Sequence, residues 1–368
     1  MDKVGVVQQW QTLQNGLENL TQATAPMPTP GRDEVLVKIH TVSLNYRDTE
    51  VCMGLYNHHK VIASGGSEPI VPCSDMCGTV VAIGEGLEVA HRVGDRVVSV
   101  FNHMMRTGHF RAEAMAAGLG LPLQGVLQTY RVFPSIGLVP VPSYLTDAEA
   151  CCLPVASVTA WMAINGMRPL GQPGGAGEVV LLQGTGGVSV AGLQIAKASG
   201  ATTVVTSSSD DKLHTAKTLG ADHLINYKTT PRWSDAVMSF TEGHGADIIF
   251  ENGGADTLRQ SFDAVAFGGI INCIGYLGGK INKASNDEDD RTGVNVLALR
   301  RNMTLRGILN GPRDRFEEML AFYEKHEIRP VVHRVFSFDE SKTAIQFLFS
   351  GQHFGKVVIQ VAAEATPQ

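Results

Sequence analysis

The stretch EVVLLQGTGGVSVAGLQIAKASG, residues 178–200, decides the fold. An apolar run (178–183) passes directly into GTGGVS (184–189) and then into a helical pattern that ends at Gly200. This is a GxGxxG turn with Ser189, a small residue, in place of the third glycine. The first glycine permits the tight turn, the second lets a backbone approach a pyrophosphate, and the helix N-terminus donates N–H groups to that anion. The stretch therefore predicts a strand–turn–helix unit that binds a dinucleotide.

The residues downstream continue to alternate between short apolar strands and helices. A helix is predicted over Lys212–Leu219, closed by Gly220. The predicted strands are TTVVTS (202–207), HLINY (223–227), DIIFEN (247–252) and GIINCIGY (269–276). Short apolar strands separated by helices predict a parallel sheet covered on both faces, and hence an α/β fold.

The residues before about 150 have a different pattern. Short strands bounded by glycine predict an antiparallel, turn-rich β unit, and the stretch 102–128 reads as a long, less regular segment. A helix is predicted over 146–166, with a capping box at Thr146 and Glu149. The predicted strands of this unit are 31–45, 78–86 and 94–101, and the end of the chain adds a helix (316–326), a strand (331–338), a helix (339–351) and a strand (355–361).

The composition is that of a globular protein. The chain has 368 residues, 43% hydrophobic and 18% charged, which excludes disorder as the main architecture, and its length suggests about two domains. A net charge of −6 gives no basic surplus for nucleic acid or an acidic membrane surface. The N-terminus lacks an apolar leader, and we find no run of about 18 apolar residues to span a bilayer. Six cysteines are too few for a disulfide scaffold, so we expect buried thiols and a cytoplasmic, reducing location.

The end of the second strand indicates which nicotinamide cofactor binds. An NAD site places an acidic residue there to hold the ribose hydroxyls. In VVTSSSDDK (204–212), Ser207 and Ser208 occupy the strand end, and the first acid, Asp210, follows later. Hydroxyls and Lys212 suit the 2′-phosphate of NADPH, which a carboxylate would repel. The segment therefore predicts NADPH.

The sequence resembles the medium-chain dehydrogenase/reductase superfamily. The resemblance implies a GroES-like β-rich catalytic domain (1–153 and 310–368) and a Rossmann doubly wound parallel sheet (154–309). It also implies a homodimer, with MTLRGILN (303–310) as the edge where the sheets of two subunits meet. The matching segments follow one another in family order: 43–56, 72–86, 94–99, 125–134, 159–161, 184–201, 220–227 and 354–361.

The family's zinc-binding motifs are altered in this chain. Zinc members use a Cys-His-x-Asp motif, a Gly-His-Glu motif and a later cysteine. The corresponding residues here are Asn45-Tyr46-Arg47-Asp48, Cys73-Ser74-Asp75 and Val155, and the stretch 102–128, where the structural zinc lobe should fall, has no cysteine. The resemblance is therefore to the zinc-independent branch, which includes quinone oxidoreductases, enoyl reductases and alcohol dehydrogenase-like proteins that lack zinc. We expect no metal site.

The resemblance also assigns roles to individual residues. Asn45 and Tyr56 match active-site positions of quinone oxidoreductases, with Tyr46 as an alternative donor. Glu50 replaces a common aromatic, which makes a quinone substrate doubtful, and Arg47 could approach a cofactor phosphate or pair with an acid. The expected cofactor residues are Thr159 over the pyrophosphate–nicotinamide half, Gly184, Thr185, Gly186, Gly187 and Val188 at the pyrophosphate, Ser207, Ser208, Lys212 and Tyr227 at the 2′-phosphate, Asn252 near the adenosine ribose, and Gly275, Tyr276 and Leu277 at the carboxamide.

Without a Lewis acid, simple alcohol oxidation is hard because nothing stabilises the alkoxide. Hydride delivery to the β-carbon of an enone is easier, since charge spreads into an enolate that hydrogen-bond donors can stabilise. The leading hypothesis is therefore an NADPH-dependent reductase of an activated C=C bond in a small or medium organic molecule. The alternatives are a metal-free alcohol or carbonyl oxidoreductase, a non-catalytic NADPH-binding scaffold, and a redox-neutral lyase or cyclase.

Overall fold

The computed structural model describes residues 5–57, 68–86, 91–281 and 292–362. The strands are β1 Val6–Gln11, β2 Thr21–Pro26, β3 Glu34–Ser43, β4 Asp75–Ile83, β5 Arg96–Ser99, β6 Tyr130–Pro134, β7 Leu138–Pro140, β8 Val179–Gln183, β9 Thr202–Ser207, β10 His223–Asn226, β11 Ala246–Glu251, β12 Val265–Cys273, β13 Thr304–Gly307, β14 Val332–Ser337 and β15 Lys356–Gln360. The helices are α1 Tyr46–Cys52, α2 Asp147–Ala150, α3 Val158–Asn165, α4 Gly187–Ala198, α5 Asp210–Thr218, α6 Trp233–Phe240, α7 Leu258–Ala264, α8 Val294–Arg301, α9 Arg313–His326 and α10 Ser341–Phe349.

The chain divides into two compact units. Unit 1 combines residues 1–158 with 312–368, and unit 2 is the continuous segment 159–311.

Unit 2 is built on a parallel sheet with strand order β10-β9-β8-β11-β12-β13. The chain starts in the middle of this sheet at β8, works outward to β10, and then returns to the other side of β8 at β11. Side chains such as Leu181, Val204, Ile249 and Ile271 are fully or almost fully buried in its core, as apolar strands covered by helices require. The predicted Rossmann-type parallel sheet is confirmed. At β9 the observed strand has the predicted bounds.

Unit 1 contains a mixed sheet with strand order β14-β15-β3-β4-β5-β7, and β6 also pairs with β3. Strand β15, from the end of the chain, lies antiparallel to β3 and parallel to β14. The buried side chains Val35, Val37 and Ile39 place β3 at the core of this unit. The predicted GroES-like β-rich domain is confirmed, and both ends of the chain contribute to unit 1.

The stretch 102–128 contains a 3-10 helix, Ala112–Ala117, and within this described stretch no α-helix or strand. It is irregular, as its sequence predicts.

The predicted helix 146–166 has an interruption. Thr146 caps α2 with the expected capping box, but a π-helical turn, Leu153–Ser157, precedes α3. Pro154 lies in this turn, and proline has no N–H for a regular helical hydrogen bond.

Within the described residues, the run Asp147–Asn165 has 19 residues and a mean hydropathy of 1.2, enough by length and composition to cross a membrane. The segment is not an unbroken apolar run, because it contains Asp147, Glu149 and several other polar residues. In addition, 83% of its most apolar window is buried inside the protein, which is the usual condition of a core helix.

Candidate functional site

The glycine turn, residues Gly184–Val188, joins β8 to α4 at the centre of the unit 2 sheet. Gly184 has φ +77°, a left-handed conformation that favours glycine, and a Cβ built on Gly184 or Gly186 would meet no atom within 4 Å. Helix α4 has no side-chain cap at its N-terminus. Its first N–H groups, including those of Gly187 and Val188, are therefore without a side-chain acceptor, next to open space. This arrangement can hold an anion such as a pyrophosphate.

Thr185 follows Gly184 in this turn and is buried. The residue at the third glycine position, Ser189, does more than permit close packing. Its hydroxyl donates to the Gln183 carbonyl at 2.7 Å and accepts from Asn252 Nδ2 at 3.0 Å. The serine therefore ties the glycine turn to the loop after β11, which a glycine could not do.

A buried glutamate accepts several hydrogen bonds that fix the start of the loop after β11. Glu251 accepts hydrogen bonds from Gln183 Nε2 at 2.8 Å, from Ser261 Oγ, and from the Gly253 and Gly254 N–H groups at 3.0 and 2.9 Å. Gln183 Oε1 in turn accepts from the Asn252 N–H at 3.0 Å. The backbone at the point where the strand order reverses is therefore fixed in advance, at the edge where dinucleotides bind in such sheets.

The residues predicted for the 2′-phosphate lie at the carboxyl ends of β9 and β10. Ser207 ends β9 opposite Asn226, and the Tyr227 N–H donates to the Ser207 carbonyl at 3.1 Å. Lys212 lies in the first turn of α5, where partial burial lowers its pKa. The structure brings Ser207, Lys212 and Tyr227 to one edge of the sheet, with Ser208 half-buried between strand and helix.

The other predicted cofactor residues lie in unit 2 as well. The Gly275 and Leu277 N–H groups donate to the carbonyls of Glu251 and Asn252, at 3.2 and 3.0 Å. Tyr276 packs its ring against the Lys280 ammonium. Thr159 is buried, and its hydroxyl accepts a 3.5 Å hydrogen bond from Asn310. Several residues that are expected to contact the cofactor therefore also make contacts within unit 2 itself.

In unit 1, the predicted catalytic residue Asn45 is the N-cap of α1. Its backbone N–H donates to Asp48 Oδ2 at 2.8 Å. Arg47 lies 3.6 Å from the other Asp48 oxygen and donates to the carbonyls of Leu119 and Leu121. Arg47 was expected either to approach a cofactor phosphate or to pair with an acid, and in the structure it lies beside an acid, Asp48.

Tyr56 and Tyr46 lie in different surroundings. Tyr56 is only 6% exposed, and the Arg47 guanidinium lies over its ring, 4.7 Å from the centroid. Burial lowers the pKa of Arg47, but Tyr56 and Asp48 outweigh that effect and the pKa is raised. Tyr46 is 40% exposed and stacks on Phe349 of α10. Of the two tyrosines, Tyr56 is the one held beside the charged residues.

The three positions that correspond to the family's zinc ligands converge on one carboxylate. Asp75 Oδ1 accepts from Ser74 Oγ at 2.6 Å, and Oδ2 accepts from the Val155 N–H at 3.1 Å. The Asn45 amide lies near Asp75, where burial raises the pKa of the carboxyl and the amide acts in the opposite direction. Asn45, Ser74 and Val155 are far apart in sequence, and the fold brings them together around Asp75.

A lysine that the sequence reasoning did not single out completes this arrangement. Lys356, the first residue of β15, donates to Asn45 Oδ1 at 2.7 Å and to the Leu44 carbonyl. We call these residues the Asp75 cluster: Asn45, Arg47, Asp48, Ser74, Asp75, Val155 and Lys356. The only signal for Lys356 in the sequence is a lysine directly before an apolar strand, VVIQV.

Burial dominates the electrostatics of the Asp75 cluster. It raises the pKa of Asp48 to about 6, although Arg47 acts in the opposite direction. It also raises the pKa of Asp75, against the charge of Lys356. Burial likewise raises the pKa of the Cys73 thiol, which keeps that neighbour neutral. The cluster therefore pairs two buried cations with two carboxylates that are hard to ionise.

Comparisons with known proteins agree with this architecture. Residues 31–143 match the alcohol dehydrogenase GroES-like domain family, and residues 187–325 match the zinc-binding dehydrogenase family. The chain is 39% identical to a zinc-type alcohol dehydrogenase-like protein of Schizosaccharomyces pombe over 328 residues, 89% of this chain and 91% of the relative.

Two solved structures are also similar along their whole length. A putative alcohol dehydrogenase from Sinorhizobium meliloti is 36% identical with a TM-score of 0.84, over 97% of this chain and 99% of that one. An NAD-dependent alcohol dehydrogenase is 31% identical with a TM-score of 0.82, over 97% and 100%. With the Rossmann-type sheet, the glycine turn and the GroES-like unit, these matches show that the chain is an oxidoreductase that belongs to the medium-chain dehydrogenase/reductase superfamily.

Proposed function

We propose that the protein is a zinc-independent, NADPH-dependent oxidoreductase that transfers hydride to the activated C=C bond of a small or medium organic substrate. The observation that carries this proposal is the Asp75 cluster. Where zinc members of the family hold a metal ion with three side chains, this chain has a carboxylate that accepts from a hydroxyl and a backbone N–H, with the Asn45 amide beside it.

The donor set at these positions does not fit zinc. Zinc prefers thiolate, imidazole and carboxylate ligands, but the three side chains here are an amide (Asn45), a hydroxyl (Ser74) and an aliphatic group (Val155). The carboxylate that lies beside these three side chains, Asp75, already accepts a hydrogen bond at each oxygen. Across the part of the chain that the structure describes, no group of three or more His, Cys, Asp or Glu side chains could hold a metal ion.

A dinucleotide does fit unit 2. The space in front of Gly184 and Gly186 is the space a Cβ would fill, and α4 presents uncapped N–H groups beside it. Ser207, Ser208 and Lys212 supply hydroxyls and a positive charge for a 2′-phosphate, which supports NADPH. When bound, the nicotinamide would supply a hydride from its C4.

In the proposed reaction, hydride from NADPH would add to the β-carbon of the enone and leave NADP⁺, while the π electron pair of the C=C bond would shift to give an enolate. A proton from water would then reach the α-carbon to give the saturated carbonyl compound. Asn45 Nδ2 and the Tyr56 hydroxyl are the proposed donors to the enolate oxygen, where preorganised donors are most effective.

A second candidate is a metal-free alcohol or carbonyl oxidoreductase. It is favoured by the similar structure described as an NAD-dependent alcohol dehydrogenase. In that reaction the hydride would add to a carbonyl carbon, and the same donors would face an alkoxide.

The test is consumption of NADPH with matched panels of enones and aldehydes, together with elemental analysis of the purified protein. With NADPH deuterated at C4, C=C reduction places deuterium on the β-carbon of the product, and C=O reduction places it on the carbinol carbon. Stoichiometric zinc with activity lost on chelation would refute zinc independence. Deuterium on the carbinol carbon would select the second candidate.

We also propose a homodimer joined through β13. This strand is the edge of the unit 2 sheet, and its Leu305 side chain is exposed. An unpaired edge strand is a template for pairing with another chain, so a second copy would complete it. Sedimentation at micromolar concentration is expected to show a dimer. A species of 39.4 kDa alone would contradict the proposal.

We propose a cytoplasmic location, because all six cysteines are free thiols and five of them are buried. Fractionation of cells that express the tagged protein would test this.

A further inference from the structure

Lys356 is placed unusually for a lysine. It is only 5% exposed, and it reaches from β15 to the junction of β3 and α1, across 311 residues of sequence. There its ammonium donates to the Leu44 carbonyl and to Asn45 Oδ1. Burying an ammonium costs several kcal/mol unless it is paired and hydrogen-bonded, so this position requires its partners.

The contact with Lys356 fixes the orientation of the Asn45 amide. An ammonium has only donors, so the amide atom that faces it must be the oxygen. The Nδ2 edge therefore points away from Lys356. Among the described residues no acceptor meets hydrogen-bond geometry for Nδ2, although Asp75 lies near it. Nδ2 is itself buried and carries two N–H donors, so even if Asp75 engages one of them the second still lacks an acceptor in the described part of the chain.

The charge of Lys356 also strengthens that donor. A charge-assisted hydrogen bond to the amide oxygen draws electron density from the nitrogen, and linked hydrogen bonds in a low dielectric reinforce one another. The groups near Lys356 include the Asp48 and Asp75 carboxylates and the Cys152 thiol, on whose pKa values its charge has a lowering effect, and the neutral amide of Asn45. The ammonium thus sets the charge balance and the amide geometry together.

We propose that Lys356 is a positioning residue of this enzyme, holding the Asn45 amide so that an N–H of Nδ2 meets the negative charge that develops on the substrate oxygen. This inference rests on the proposed function, in which Asn45 is an oxyanion donor. It assigns a role at the site to a residue of the C-terminal strand.

The kinetic test compares Lys356→Met with a matched control, Lys342→Met. Lys342 lies in the same unit but is only partly buried, and its ammonium donates to the Glu18 carbonyl. With an enone substrate, Lys356→Met should lower kcat roughly ten- to a hundredfold, as expected for the loss of a charged hydrogen bond. The dissociation constant for NADPH should change less than about twofold, because the expected dinucleotide residues lie in unit 2. Lys342→Met should leave both quantities unchanged.

A double-mutant cycle separates positioning from simple stability. In an Asn45→Ala background Lys356 has no amide to hold, so Lys356→Met should add little to the loss in kcat. If the two losses multiply instead, the proposal is overturned. Should Lys356→Met fail to fold, Lys356→Arg keeps the charge but alters the donor geometry. The same cycle then applies, with the loss expected to be several-fold and an unchanged kcat contradicting the proposal.

A readout without turnover distinguishes this proposal from the proposed function. In protein labelled with ¹⁵N-asparagine, the side-chain amide signal of Asn45 is identified by its absence in Asn45→Ala. It should shift in Lys356→Met and stay in place in Lys342→Met. If it shifts while no enone consumes NADPH, positioning stands and the proposed reaction fails. If enones are reduced but the signal does not move, the positioning role fails alone.

Discussion

In the glycine turn of unit 2, the groups offered to a ligand are backbone N–H groups, and the space before them is open. In the Asp75 cluster of unit 1, most of the polar groups are side chains, which contact one another and nearby backbone groups. The glycine turn offers this space because Gly184 and Gly186 have no Cβ to fill it. The Asp75 cluster depends on atoms that are present, including a buried ammonium and two buried carboxylates.

The two regions should therefore respond to mutation in opposite ways. Adding atoms to the glycine turn should destroy binding and leave the fold intact. Removing atoms from the Asp75 cluster should alter chemistry and stability together, because its side chains also neutralise each other. Four predictions, from the largest effect to the smallest, test these two regions and the residues expected to act beside them.

Gly186→Val should lower NADPH affinity roughly a hundred- to ten-thousandfold. The new side chain would occupy the space where the pyrophosphate approaches, removing about two hydrogen bonds to charged groups, each worth about 1.5–3 kcal/mol. Because its Cβ meets no protein atom within 4 Å, the midpoint of thermal unfolding should hardly change. Fluorescence titration and melting curves measure the two quantities. Full affinity in this variant would show that no dinucleotide lies against this turn.

Tyr56→Phe should lower kcat about a hundred- to a thousandfold, the usual result of losing one oxyanion donor, about 2.7–4 kcal/mol. The ring keeps its contact with the Arg47 guanidinium, and only the hydroxyl is removed. NADPH affinity should stay near the parent value. Steady-state kinetics with the best enone provide the measurement, and Tyr46→Phe is the matched variant, since Tyr46 stacks on Phe349 instead. An unchanged kcat in Tyr56→Phe would make the hydroxyl structural.

Asp48→Asn should change the pH dependence of stability. The folded-state pKa of Asp48, about 6, lies above its unfolded value of roughly 3.9, so the folded protein binds this proton more tightly. Its contribution to stability is thus fully present below about pH 4 and is lost as the pH rises through about 6, a loss of up to about 3 kcal/mol.

Urea unfolding of the parent and Asp48→Asn between pH 4 and 8 provides the test. The parent's free energy of unfolding, relative to that of the variant, should fall between about pH 4 and 6 and then level off. A constant difference over the whole range would mean that Asp48 stays ionised.

Lys212→Ala should weaken NADPH about ten- to a hundredfold and leave NADH nearly unchanged, since one charged hydrogen bond to the 2′-phosphate, about 1.5–3 kcal/mol, is lost. Lys217→Ala is the control in the same helix, because that lysine donates to the Asp222 carbonyl. Calorimetric titration with each dinucleotide gives the affinities. Equal affinities of the parent for NADH and NADPH would refute the choice of cofactor.

Sequence was a good guide wherever local pattern determines structure. The glycine turn follows from spacing alone, and β9 has its predicted bounds because an apolar run there is flanked by turn residues. The helix at 146–166 was harder to predict, since the effect of Pro154 depends on whether its neighbours tolerate a wider turn.

Only part of the Asp75 cluster could be predicted from the sequence. Its zinc-ligand positions were identified through the resemblance, but nothing local links Lys356 to Asn45, because their contact depends on β15 pairing with β3. The hydrogen bonds of Ser189 and Glu251 were missed for a related reason. A small residue and an acid at a strand end fit many roles, and only the fold selects their partners.

Unit 1 is assembled from both ends of the chain, and this fixes an order of events during translation. All of unit 2, residues 159–311, is synthesised before the first residue of β14. Domains generally fold as units while the chain grows, so unit 2 can close its core early. During this time Lys356 has not been synthesised, so Asp48 and Asp75 lack its charge and β3 lacks its neighbour β15. A ribosome that stalls between residue 312 and Lys356 would therefore leave a complete unit 2 attached to an unfinished unit 1, in which the ammonium that acts on Asp48 and Asp75 is missing.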